Sequence, residues 1–212
     1  MRFVPSLRAP GKKRGRGSTP PTVSARLACR ARLEAHASGK IVAFVDDYSV
    51  DLGAFSPAAA DRAQGLRIGL PLASLASSGR KIDRELDLLV RRLAWHRLLE
   101  YRLGRSSGED EQVVIEPQVA DYWPRTPLLS DADVLALSRF AYMRRRGNEM
   151  VLESPLAGAL FRICSPKIAI SLAALSTPQQ IKQLRRLDAF PGLEFLALLV
   201  DCQILLKAHV AG

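Results

Sequence analysis

The side chains that could carry chemistry are few and scattered. His36, His96 and His209 lie far apart, and none is spaced with another as metal ligands are. Cys29, Cys164 and Cys202 form no CxxC pair and sit in apolar settings, which reads as buried, reduced thiols of a cytoplasmic protein. Asp46 and Asp47 are adjacent, and neighbouring carboxylates in an extended or turn segment point apart. No nucleophile elbow, phosphate loop or dinucleotide fingerprint occurs. The triplet Arg144-Arg145-Arg146 could clamp carboxylates or phosphates in bidentate fashion, but in a strand only Arg144 and Arg146 share a face, and a solvated hairpin is the preferred reading. The sequence thus offers no catalytic, cofactor-binding or metal-binding residue, and the chain alone reads as non-catalytic.

The elements that would position any site are read from an internal similarity. Arg139 to Leu175, moved back by 109 positions, falls on Arg30 to Leu66 with the same order of events. Each copy turns over on a short polar pair, Ser38-Gly39 or Gly147-Asn148, suited to the positive φ of a tight hairpin. A strand follows, Ile41 to Val45 or Met150 to Leu152, and then a second extended piece, Val50 to Leu52 or Ala159 to Ile163. Ser56-Pro57 and Ser165-Pro166 each start a helix, with Ser as cap and Pro at the first helical position. With the offset reduced to 107, Leu89, Leu93, Leu98 and Leu99 fall on Leu196, Val200, Leu205 and Leu206.

The net charge of +10 at first suggests nucleic acid. It is concentrated before residue 41, however, and the remainder is close to neutral. Residues 1–26 are read as a flexible basic arm. Residues 27–117 form a first domain whose helix, Lys81 to Leu98, is followed by strands Leu99 to Leu103 and Val113 to Glu116, a hairpin with the alternation of a wing. Residues 118–138 are a linker carrying Tyr122-Trp123-Pro124 and ending in a short helical lead-in, Asp131 to Ser138. Residues 139–212 form a second domain, with a second helix starting at Thr177-Pro178, a third over Leu193 to Cys202, and a wing strand at Ile204 to Lys207. The fold class is α+β: two tandem winged helix-turn-helix-like domains, each a β-hairpin, three helices and a wing, with the second wing cut short. No apolar run reaches the roughly 18 residues of a membrane span.

A winged fold with a free sheet edge can take an extended peptide as one more strand. The expected edges are Val50 to Leu52 and Ala159 to Ile163. The third helices supply the wall, which gives Val50, Leu52, Leu86, Val90, Leu160, Phe161, Ile163, Phe195 and Leu199 as peptide-binding candidates. Replacing Leu160 with Pro is expected to abolish binding by removing an edge N–H.

The segment MVLESPLAGALFRI, then SPKIAISLAAL and QILLK, resembles the winged-helix leader-binding domains called RiPP recognition elements, of which PqqD-like proteins are the simplest. More specifically, VIEPQVADYWPRTPLL followed by LSRFAYMRRRGNEMVLESPLAGALFRICSPKIA is similar to the N-terminal region of SagB-type, ThcOx-like dehydrogenases. That resemblance implies a ribosomally synthesised precursor peptide as partner. It also implies a nitroreductase-like domain with FMN that oxidises thiazoline or oxazoline to thiazole or oxazole. This domain is expected to be missing or separate, because only a few residues follow the second clamp. A flavoprotein or cyclodehydratase partner and a homodimer are further expectations. The alternative is a DNA-binding winged-helix transcription regulator. Against it, Asp83, Glu85 and Asp87 open the helix that would enter the groove, and the near-neutral body offers little counterion release.

Overall fold

The computed structural model describes residues 21–75, 79–104 and 111–208. The fold is α+β. The chain begins with β1 (Thr22–Leu27), then a three-stranded meander of β2 (Ala31–Ala35), β3 (Lys40–Val45) and β4 (Tyr48–Ala54). Helix α1 (Pro57–Gln64), strand β5 (Leu70–Pro71), helices α2 (Leu72–Leu75) and α3 (Lys81–Trp95), and strands β6 (Leu99–Gly104) and β7 (Glu111–Pro117) complete the amino-terminal half. The second half runs through the same order: β8 (Val134–Leu137), β9 (Tyr142–Arg146), β10 (Glu149–Glu153), β11 (Ala159–Ile163), α4 (Pro166–Ala174), β12 (Gln179–Gln180), α5 (Ile181–Leu184), α6 (Leu193–Asp201) and β13 (Leu205–Lys207).

Local chemistry sets the boundaries. Gly39 (φ 82°) and Gly147 (φ 60°) turn the two hairpins as their sequences require. Ser56 caps α1 by accepting the Ala59 N–H, and a proline opens both α1 and α4. Each third helix ends on the same device. Arg97 and Gln203 both take φ 56°, and the next amides, of Leu98 and Ile204, donate back to the carbonyls of Leu93 and Leu199. The two helix ends therefore align with Leu98 on Ile204, one residue away from the expected match to Leu205. Burial agrees: Leu99 and Leu205 are both inside, whereas Leu206 is 48% exposed.

Three assignments differ from expectation. The end of the supposed arm is β1, an inner strand between β5 and β6, with Ala25 and Leu27 buried and Ser24 and Arg26 on the other face. That period of two is a strand signature obscured by the basic composition around it. The lead-in before the second half is β8, because its run Val-Leu-Ala-Leu lies between β12 and β13 and pairs with both. The second helix of that half starts at Ile181, after Gln179 and Gln180 have paired with β8. Of the cysteines, only Cys202 is buried; Cys29 and Cys164 are exposed. Residues 1–20 of the arm, and His209, lie outside the described residues.

The strands form three antiparallel sheets: β2-β3-β4, β12-β8-β13, and a seven-stranded sheet ordered β5-β1-β6-β7-β11-β10-β9. The large sheet spans both halves because β7 pairs with β6 on one side and β11 on the other. Its inner face buries Tyr101, Leu103, Val113, Ile115 and Phe161, and Phe161 meets Phe195 of α6 edge-on at 6.3 Å between ring centroids. Its outer face carries a ladder of charges: Arg26 on Glu100, Arg102 on Glu100 and Glu111, Arg162 on Glu116 and Glu149, Arg146 on the same two acids, and Arg144 on Glu153. The Arg162 guanidinium holds the Glu149 carboxyl below its ordinary value, and Arg144 does the same for Glu153. Burial instead pushes Glu100 up, with Arg26 opposing.

Truncating Phe161 to Ala should cost about 3–5 kcal/mol, read from the denaturant midpoint, because the ring is fully enclosed between sheet and helix. The depressed carboxyls give stability above their ordinary pKa of 4.5 that is lost as pH falls through the folded values. Acid titration of the thermal midpoint should therefore show a decline below pH 4.5 that is shallower in a Glu149→Gln/Glu153→Gln variant. Glu100 acts in the opposite sense and is left intact.

Candidate functional site

The carboxy-terminal edge expected for peptide binding is not an edge. Strand β11 is hydrogen-bonded on both sides, to β10 and to β7, with Phe161 opposite Ile115 and Ile163 opposite Val113. Leu160, Phe161 and Ile163 are all buried, and so are Phe195 and Leu199 on α6. The physical reason is that β7 already holds the place an added strand would take. Leu160→Pro would accordingly break an interior ladder, so it does not test an edge.

The amino-terminal edge is open. Strand β4 pairs with β3 alone, and its other side has no strand partner among the described residues. A register shift, in which Val42 faces Asp51 and Ile41 faces Gly53, leaves Leu52 as the extra residue of a bulge. Such bulges twist an edge away from indiscriminate pairing. Leu52 is buried and Val50 half-buried, whereas Leu86 and Val90 of α3 are wholly enclosed in the core. Leu52, Leu86 and Val90 thus belong to the core and present no surface to a peptide at this edge.

Helix α3 reaches this edge through Arg92. Along α3 an exposed stripe runs through Leu88, Arg92 and Trp95, at the three- and four-residue spacing of one helix face. Leu88 is 45% and Trp95 61% exposed. The Arg92 guanidinium donates to the Leu52 carbonyl and stands 5.5 Å from the centre of the Phe55 ring. Gly53, at φ 93°, leaves the space for it, since a Cβ there would collide with the guanidinium. Arg92 therefore satisfies a bulge carbonyl that no neighbouring strand reaches. At one end of the stripe Glu85 accepts from the Ser56 hydroxyl and N–H, which hold its carboxyl low. At the strand, Asp51 is held low by the Gly53 N–H and then by Lys40. Leu88 and Trp95 are apolar residues of α3 off its buried stripe of Leu86, Leu89, Val90, Leu93 and Ala94, and that misfit is the signal the sequence carries.

Elsewhere, the outer face of the large sheet bears a cavity of about 610 Å³ lined by Arg30, Arg97, Arg146 and Arg162 together with Glu100, Glu116 and Glu149. The arginine triplet resolves as its strand period requires: Arg144 and Arg146 face one side and engage Glu153, Glu116 and Glu149, while Arg145 donates to Gly147 and Asn148. Tyr122, between the halves, is buried with its hydroxyl 3.2 Å from Cys202 Sγ, and burial pushes that thiol up to about 11. No group of three or more His, Cys, Asp or Glu is placed to hold a metal ion among the described residues. No helix there is long and apolar enough to cross a membrane.

No curated protein matches the chain. Residues 135–212, from β8 onward, match the family model described as cyanobactin oxidase ThcOx. This part of the chain is ThcOx-like, as its resemblance to the N-terminal region of SagB-type dehydrogenases implied.

Proposed function

We propose that this chain is the peptide-holding part of a ThcOx-like system for oxidising azolines in ribosomally made peptides, and that it clamps the precursor on the open edge of β4. The two halves are then two winged-helix units, the first beginning at β1 and ending with β7, the second beginning at β8, with residues 118–133 between them. The observation that carries the reading is an unpaired strand edge beside exposed Leu88 and Trp95. An extended segment laid there would gain backbone hydrogen bonds from β4 and apolar contact from α3. Arg92 would move from the Leu52 carbonyl to an acceptor on the peptide.

The chain's own arginines do not fit a flavin phosphate. Arg144, Arg146 and Arg162 are engaged by carboxylates, and the cavity beside them also presents Glu100, Glu116 and Glu149, which repel an anion. FMN and the oxidation it supports belong to a nitroreductase-like partner or domain, and no step is assigned to residues of this chain.

A fluorescein-labelled leader peptide of a cyanobactin-type precursor tests the reading by anisotropy. The double variant Leu88→Asp/Trp95→Ala changes only exposed side chains and should keep its thermal midpoint while weakening binding at least about tenfold. Binding equal to that of the unaltered protein would exclude this groove. Affinity should also persist on raising the salt, whereas a steep loss with salt, accompanied by binding to random duplex, would favour the DNA-binding alternative.

A further inference from the structure

The groove that is open in the first half is occupied in the second, and the occupant comes from the same chain. Strand β7 covers the side of β11 that corresponds to the open side of β4. Its Val113 and Ile115 are fully buried beside Ile163 and Phe161, and its continuation stays in the groove. The N–H groups of Gln118 and Val119 both donate to the Gly158 carbonyl. Gly158 permits this approach, since a Cβ there would stand 3.2 Å from Val119 and 3.3 Å from the Tyr122 ring. Tyr122 then packs on Cys202, and the Arg125 N–H donates to Asp201 at the end of α6.

Aligning the helices at Arg97 and Gln203 places Leu198 at the position of Arg92 and Asp201 at that of Trp95. Leu198 is fully buried and Asp201 holds the linker, whereas Arg92 and Trp95 are exposed. At these two positions the face that is bare on α3 is covered or engaged on α6, while Glu194, at the position of Leu88, is half-buried.

We infer that the stretch Glu111 to Trp123, EQVVIEPQVADYW, is a built-in ligand of the second half, so that the chain holds one external peptide at β4 and none at β11. The same stretch shows the chemistry the open groove accepts: an extended segment, antiparallel to the strand, with apolar side chains at alternate positions facing the helix and an aromatic residue beyond. This rests on the peptide-binding reading of β4.

The test uses the full chain and a labelled synthetic peptide of sequence EQVVIEPQVADYW. Anisotropy should give saturable binding at one site per chain, weakened at least about tenfold by Leu88→Asp. Hydrogen exchange should show β4 amides gaining protection on adding the peptide while β11 amides are equally protected with and without it. Two sites per chain, or protection gained at β11, would overturn the inference. So would binding that Leu88→Asp leaves unchanged. A leader peptide that binds at β4 while this synthetic peptide does not would also overturn it, with the peptide-clamping function left standing. Failure of both peptides to bind would remove that function as well.

Discussion

The pairing of β7 with β11 is the contact on which the rest of the architecture depends. It joins two strand groups into one seven-stranded sheet and takes away the edge that β11 would otherwise expose. An exposed edge is a row of unpaired amides and carbonyls, open to any extended chain. The molecule closes one such edge from within; the corresponding edge, on β4, has no strand partner among the described residues and carries a bulge and Arg92. The two halves, alike in element order, thus differ in whether this strand edge is paired.

The same seam explains the polar face of the sheet. Arg162 of β11 reaches Glu116 of β7 and Glu149 of β10, while Arg146 of β9 reaches the same two acids. These pairs bridge strands from both halves and fix their register more than they add stability, because solvent screens the partly exposed members. On the inner side Tyr101 donates to the Tyr122 carbonyl and meets the Tyr122 and Trp123 rings edge-on. The linker is thereby packed into the joint between the halves. Its hydrogen bonds to Gly158 and Asp201 make it part of the second half's surface.

Much of this was legible beforehand where a local rule decides the outcome. The glycine turns and the proline helix starts follow from backbone sterics, the strand Leu99 to Leu103 from its period-two alternation, and the span Ala159 to Ile163 from its place before Ser165-Pro166. The candidate site was less legible. Leu86, Val90, Phe195 and Leu199 have the helical spacing that suits a core or a groove equally well, and all four are core. Leu88 and Trp95, which share an exposed face of α3 with Arg92, lie away from its buried stripe.

By itself the sequence determined the α+β class, the order hairpin, strand, helix over Arg30 to Leu66 and Arg139 to Leu175, and a resemblance that the ThcOx match over residues 135–212 supports. Those properties are local, or are carried by patterns within one half. Only the tertiary structure decided which strands of the described residues pair side by side, that β1 is an inner strand, and that the linker hydrogen-bonds to Gly158 and Asp201. A strand's own residues fix its two faces but do not specify its two lateral neighbours. The backbone groups that pair at an edge are the same for every residue type but proline, so which edge finds a partner is settled by what the rest of the chain brings alongside.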